Sequence, residues 1–190
     1  MRKLILSINL SLDGFMSGPG QPLDWHLQCW TSEMGDELAV QLAKADTIVL
    51  GRVTFSGMAS YWPARAGRIQ CREEDFAYAT MMNSYAKIVF SKTLRSASWH
   101  NTRMFRGNPA HEIGQLKKMP GKNLMLYGSG RLAAALISAG LVDEYQLWVH
   151  PVILGKGQPL FNQLQQRINL QLQHTKTFST GVVTLYYRQL

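Results

Sequence analysis

Cysteine is scarce in this 190-residue chain: Cys29 and Cys71 are the only two, and neither has a C-x-x-C partner. That excludes a disulfide-stapled secreted scaffold and a cysteine-rich zinc module. It fits a reducing cytoplasm, where both thiols serve as small buried apolar groups. The five histidines stand singly, with no H-x-x-x-H or H-x-E pair, so no metal site is expected. No segment has the length and apolarity of a membrane span. The opening MRKLILSINLSLDGFM starts like a secretory leader, but Ser7, Asn9 and Ser11 interrupt its apolar run and no small-x-small cleavage site precedes Asp13. Acids are also few, 12 against 20 lysines and arginines, which leaves a formal net charge of +8.

Such an excess of basic residues raises nucleic acid as a partner. The excess is uneven. Between Lys87 and Lys122 lie Lys92, Arg95, Arg103, Arg106, Lys117 and Lys118 against one acid, Glu112. No aromatic-basic RNA signature or DNA-binding motif accompanies them, so nucleic acid is set aside in favour of a small phosphorylated ligand. No repeat, low-complexity tract or linker divides the chain, and a single domain over 1–190 is expected.

What is present is alternation. Apolar β-rich runs fall at 3–10, 46–50, 86–90, 123–127, 144–154 and 181–188. Between them the spacing predicts helices. One opens near Thr31 or Ser32, with Met34, Leu38 and Leu42 on one face. Others cover roughly 72–84, Pro109 to Lys118, and 130–139 closed by Gly140. The near-continuous apolar strands TIVLG, KIVFS and NLMLY indicate a parallel sheet covered on both faces. LQLQHTKTF, Ser179-Thr180-Gly181 and VVTLYYRQ read as an antiparallel hairpin within 166–189. The expected class is three-layer α/β: a mostly parallel central sheet flanked by helices, with an antiparallel C-terminal hairpin. An apolar edge strand carrying Val182, Val183, Leu185, Tyr186 and Tyr187 would favour a homodimer.

In open parallel sheets ligands sit where strand carboxyl ends lead into helices. Gly128-Ser129-Gly130-Arg131 is placed there, either as an anion-binding turn or as a tight packing turn. It even completes G-x-G-x-x-A, but the next strand starts with Asp143 and Glu144 and ends with His150-Pro151, which disfavours a Rossmann site. Gly51-Arg52 with Thr54, and Ser91-Lys92-Thr93, follow two other strands. Three such ends suggest a long polyanion, most simply a dinucleotide. Asp13 leaves the first strand and is either a proton donor or an Asx turn with Gly14. The loop FMSGPGQPLDWHL reads as a mobile lid in which Trp25 stacks on a flat heterocycle or packs; Tyr61 and Trp62 have the same two readings. Arg65, Arg68 and Arg72 form a solvated face or meet a substrate phosphate, and His150 reads as structural.

The order SLDGF, LGRVTF, VFSKTL, LYGSGRL and LVDEYQLWVHPVILGKGQPLF resembles the dihydrofolate reductase-like superfamily. Within it, the chain is most similar to the branch containing the reductase domain of bifunctional riboflavin-biosynthesis enzymes. The resemblance implies NADPH bound across the sheet edge. Gly51, Arg52, Thr54, Gly128, Ser129, Gly130 and Arg131 would then contact its phosphates, and Ser91 with Lys92 the adenosine-ribose phosphate. It implies a reductase acting on 5-amino-6-(5-phosphoribosylamino)uracil or a similar small heterocycle, and it favours the site role for Asp13 over the Asx turn. The His/Cys motif of the partner deaminase domain is missing from this sequence. A substrate-binding acid on the first helix, as in the dihydrofolate reductases, has no clear match among Glu33, Asp36 and Glu37. A pteridine or folate reductase and a non-catalytic NADPH-binding module are the rival readings.

Overall fold

The computed structural model describes residues 1–20, 23–65, 73–162 and 164–190. Arg68, Cys71 and Arg72 lie outside them. In chain order the strands are β1 (Leu4–Ser11), β2 (Phe15–Ser17), β3 (Ala45–Gly51), β4 (Ala86–Phe90), β5 (Thr102–Phe105), β6 (Asn123–Leu126), β7 (Glu144–His150), β8 (Gln158–Pro159), β9 (Leu170–Thr177) and β10 (Val183–Gln189). The helices are α1 (Asp24–Leu27), α2 (Ser32–Leu42), α3 (Arg52–Tyr61), α4 (Glu73–Ser84), α5 (Pro109–Lys118) and α6 (Gly130–Ser138).

Eight strands form one sheet in the order β5-β4-β3-β6-β1-β7-β10-β9. The pairings from β5 to β7 are parallel, and β10 is antiparallel to both β7 and β9. Alternation along β1 assigns the two faces. Leu4, Leu6, Ile8 and Leu10 pack with Ile113 of α5 and with Leu132, Leu136 and Ile137 of α6. Ile5 points the other way, into a cluster holding Leu42 of α2, Phe55 of α3, and Tyr78 and Met82 of α4. Two helical layers around a mostly parallel sheet with antiparallel C-terminal strands give the dihydrofolate reductase-like fold.

The helix ends follow from local chemistry. Thr31 Oγ1 accepts from the Met34 N–H at 3.3 Å, and Asn108 Oδ1 accepts from the Ala110 N–H at 2.9 Å just before Pro109. Two cations of the basic run are structural. Buried Lys87 donates to the carbonyls of Asn83 and Tyr85 at the end of α4 and lies 4.7 Å from the Trp99 ring; burial pushes its ammonium down to about 8. Buried Lys117 pairs with Asp143 at 2.6 Å.

Four expectations change. The strand expected over 144–154 ends at His150, because Pro151 has no N–H to continue the ladder and 151–155 is loop. Helix α3, absent from the expected helices, begins at Arg52 directly after β3. The glycine- and proline-rich lid contains β2 and the single turn α1, and β2 pairs with β8. Last, β10 is not an edge. It lies between β7 and β9, so both of its backbone edges are paired, and the free edge at this end of the sheet is β9, whose side chains are mostly polar.

Candidate functional site

Strands β4, β3 and β6 are neighbours, so their carboxyl ends open side by side. At β3 the Gly51 N–H donates to the Gly128 carbonyl at 2.7 Å. A Cβ on Gly51 would lie 2.9 Å from the Ser129 backbone nitrogen and would collide with its hydroxyl, so only glycine admits the β6 turn this close. Gly128 has a φ of +114°, and its α-carbon faces the Thr54 hydroxyl. The Gly128–Ser129 peptide is cis. Helices α3 and α6 therefore start next to each other, from Gly51 and Ser129, and neither has a side-chain cap on its first N–H groups. Arg52 and Arg131, both exposed, stand at these two starts. Together they form an electropositive cradle of backbone donors and flanking guanidinium groups.

At the end of β4, Ser91 Oγ accepts from the N–H groups of Thr93 and Leu94, at 3.2 and 2.9 Å, and folds its own turn. Lys92 and Arg95 are exposed, and the Arg106 guanidinium holds the turn by donating to the carbonyls of Lys92 and Leu94. Above the β6 turn, Met16 of β2 lies against Gly130, with Gln158 of β8 beside it. A cleft of about 470 Å³ opens there between Gly18–Gly20 and Lys156–Gln158.

The other side of the sheet edge is made of side chains. Asp13 is exposed, and its carboxylate accepts from Ser11 Oγ at 2.6 Å and from the N–H groups of Gly155 and Leu154 at 2.7 and 3.1 Å. The Ser11 hydroxyl and these backbone donors hold it below the ordinary aspartate range. It clamps the loop after β1 to the loop after β7. Trp25 is buried, with its ring 5.1 Å from the His150 ring in an edge-to-face arrangement, and His26 stands 6.2 Å from His150. His150 Nε2 bonds Asn9 Oδ1 at 3.0 Å. Burial, with a smaller effect of His26, pushes the His150 imidazole down to about 4. Trp62 belongs elsewhere: it packs on Tyr61 and Tyr78 beside the α3–α4 core, so the two tryptophans do not share a pocket.

On α2, Glu37 accepts from Tyr186 at 2.7 Å, Gln41 at 2.5 Å and Lys176 at 3.0 Å. Burial alone would raise this carboxyl; the three donors outweigh it and hold it low. Glu33 lies 4.0 Å from Lys176. Among the described residues no group of three or more His, Cys, Asp and Glu side chains is placed to hold a metal ion, and no helix is long and apolar enough to cross a membrane.

The sequence had offered His150 as a structural histidine and gave no role to Asn9, Met16 or Arg106. Their signal was available in part. Ser7, Asn9 and Ser11 recur at every second position of β1, which puts a polar row on one face of an otherwise apolar strand.

Comparison with known proteins fits this geometry. The model of the RibD C-terminal domain matches residues 2–184. The chain belongs to the RibD C-terminal domain family. A relative in this range is the uncharacterized protein YyaP of Bacillus subtilis (strain 168), 37% identical over 187 residues, covering 98% of this chain and 94% of that one. Among solved structures, a putative riboflavin biosynthesis protein from Shewanella sp. PV-4 superposes with a TM-score of 0.77 at 22% identity, over 100% of this chain and 99% of the other. Dihydrofolate reductase from Enterococcus faecalis, solved with NADP(H), gives a TM-score of 0.61 at 15% identity, over 98% and 96%.

Proposed function

We propose that this RibD C-terminal domain is an NADPH-dependent reductase of the riboflavin-biosynthesis type, acting on 5-amino-6-(5-phosphoribosylamino)uracil or a closely similar heterocycle. One observation carries the reading: the adjacent ends of β3 and β6 present uncapped helix starts with close-approach glycines and arginines, and the neighbouring end of β4 adds exposed cations. That row suits a dinucleotide with its phosphates across β3 and β6 and its adenosine end at β4.

In this reading Gly51, Thr54, Gly128, Ser129 and Gly130 hold the pyrophosphate, with Arg52 and Arg131 as counter-charges. Ser91 is occupied by its own turn, so the adenosine-ribose phosphate falls to Lys92 with Arg95 and Arg106 around it. The cofactor, when bound, supplies the hydride. The chain positions the acceptor carbon at the ends of β1 and β7 and keeps water out with the β2–α1 segment. A carboxylate held low and engaged by two backbone N–H groups makes a poor proton donor. Asp13 is therefore read as the clamp that fixes the two loops, and the proton that balances hydride addition to a C=N group comes from water. Trp25 is the aromatic wall of the substrate corner, and Trp62 is a packing residue. The occupied Glu37 disfavours a folate or pteridine, which would need a free acid on that helix.

The reading includes a homodimer and a cytoplasmic setting. Because β10 is interior, the dimer would be carried by another surface, and sedimentation at tens of micromolar, about the range of a weak specific interface, tests it. The function itself is tested by NADPH binding and turnover with the phosphoribosyl uracil and dihydrofolate side by side. NADPH oxidation with the former and not the latter is the expected result. Binding without turnover on either would make the chain a non-catalytic nucleotide module.

A further inference from the structure

The Trp25–His150 corner holds two buried polar atoms with nothing to bond. Trp25 is 7% exposed and His150 1%, yet Trp25 Nε1 and His150 Nδ1 have no hydrogen-bond partner. Leaving a buried polar group unpaired is costly, so such pairs persist where something else satisfies them. They are not isolated. Among the described residues, the other unpartnered buried side-chain atoms are Gln146 Oε1, Thr184 Oγ1 and Thr102 Oγ1. Gln146, Trp148 and His150 alternate on β7, and Thr184 sits opposite Trp148 on β10. Trp148 packs with Met34 of α2, which fixes this polar row on the α2 side of the sheet, beneath α1 and α2.

The chemistry of the two orphans is complementary. An indole N–H only donates. The His150 ring is neutral at physiological pH, and with Nε2 donating to Asn9 Oδ1 its Nδ1 keeps a lone pair and accepts. A donor and an acceptor, on rings 5.1 Å apart, match a ligand edge that has an acceptor beside a donor. The lactam C=O and N–H of a pyrimidinone is such an edge. We propose that Trp25 and His150 form a recognition subsite for the lactam edge of a neutral planar heterocycle, with Trp25 Nε1 donating to its carbonyl and His150 Nδ1 accepting from its ring N–H.

Access requires that α1 open and then close again with Trp25 over the ligand edge, and α1 is built to do so. It is one turn long, its start has no side-chain cap, and Leu23 and Leu27 on either side of Trp25 are exposed. Thr180 Oγ1 donates to the Cys29 carbonyl just beyond it, at 3.1 Å, and provides the hinge side. This subsite rests on the reductase reading for its substrate class, but it can fail separately.

The test uses calorimetry with two probes, 5,6-diaminouracil and its 1,3-dimethyl derivative, which keeps both carbonyls and has lost both ring N–H groups. NADPH binding is measured in parallel. The native protein is expected to bind the unmethylated probe about tenfold more tightly, as for one satisfied buried hydrogen bond. Trp25→Phe keeps an aromatic ring and removes the donor; it should weaken both probes about tenfold and leave the NADPH dissociation constant in place. His150→Gln should erase the preference between the probes. If the native protein binds neither probe, or does not distinguish them, the subsite is refuted. It is equally refuted if both variants bind both probes as the native protein does, the result expected for a pair bridged by an ordered water. Should the native protein fail to bind NADPH while the probe preference and its loss in His150→Gln hold, the reductase reading falls and the subsite stands.

Discussion

The two halves of the sheet edge offer different kinds of group to a ligand. Across β4, β3 and β6 the groups offered are backbone N–H donors at helix starts, made reachable by glycines, with arginines and a lysine around them. Across β1 and β7 the groups are side chains: a clamped aspartate, a buried indole, and an imidazole fixed by an asparagine. Backbone donors serve any phosphate, and a chain can lose a side chain there at modest cost. A corner of paired side chains is particular to one ligand shape, and each member matters. The glycine half is generic and the tryptophan–histidine half is selective.

The largest expected effect tests the backbone half. Gly51→Val drives a branched side chain into the Ser129 turn, whose backbone nitrogen a Cβ would already meet at 2.9 Å. Overpacking of this kind costs about 1–3 kcal/mol of stability. Shifting the turn also removes two or more phosphate contacts, so NADPH affinity should fall about a hundredfold, read by fluorescence titration. Unchanged affinity would mean that the cradle is not where the phosphates bind.

Asp13→Asn tests the side-chain half. An amide keeps one acceptor oxygen and places an N–H₂ against the backbone donors of Leu154 and Gly155. Loosening the clamp should lower kcat by about tenfold to a hundredfold through misplacement, with NADPH binding intact. The pH profile decides the role. A clamp leaves the profile's shape unchanged, whereas a proton donor takes one limb of it away.

Lys92→Ala returns to the generic half with a smaller effect. One charge-assisted contact is worth about 1.5–3 kcal/mol. Losing it should reduce the preference for NADPH over NADH about tenfold, measured from the two dissociation constants, because Arg95 and Arg106 remain. Equal affinities in the native protein would remove the assignment altogether.

The last test reads stability against pH. His150 has its folded pKa pushed down to about 4 from an ordinary value near 6.5, and His26 beside it is lowered as well by burial. Each binds its proton more readily when unfolded, so stability is fully present above about pH 6.5 and falls as pH drops toward 4. Asp24, on α1, opposes the shift at His26. The slope from His150 is no more than about 1.4 kcal/mol per pH unit. Denaturant titrations of native protein and His150→Gln at pH 7, 5.5 and 4.5, about the span of that window, should show a shallower decline in the variant.

How much of this was legible beforehand divides along the same line. The parallel strands were readable because strands buried on both faces are continuously apolar, and Gly51, Ser91 and Gly128 could be placed because strand ends are marked by glycine and hydroxyl residues. Their adjacency was not readable. β6 lies between β3 and β1 only through crossovers that no local pattern encodes. The same blindness put β10 at the edge, since a hairpin in sequence does not say which of its strands meets the rest of the sheet. The Trp25–His150 corner joins residues far apart in the chain, and each alone looks like ordinary packing. Short elements such as β2, β5 and α1 are held by tertiary contact and have too few residues to show a period.

The position of β10 also orders the making of the protein. On a ribosome, β1 to β7 emerge with the α5 and α6 layer able to assemble, but the free side of β7 waits for a strand that begins at Val183. Until then Gln146, Trp148 and His150 border an open ladder, and β9, already synthesised, has no neighbour of its own to pair with. Strand β10 thus closes the sheet by insertion, the β3–β6 side can be finished while the free side of β7 is still open, and a nascent chain stalled before Val183 would expose an unpaired strand beside a tryptophan, a species prone to self-association.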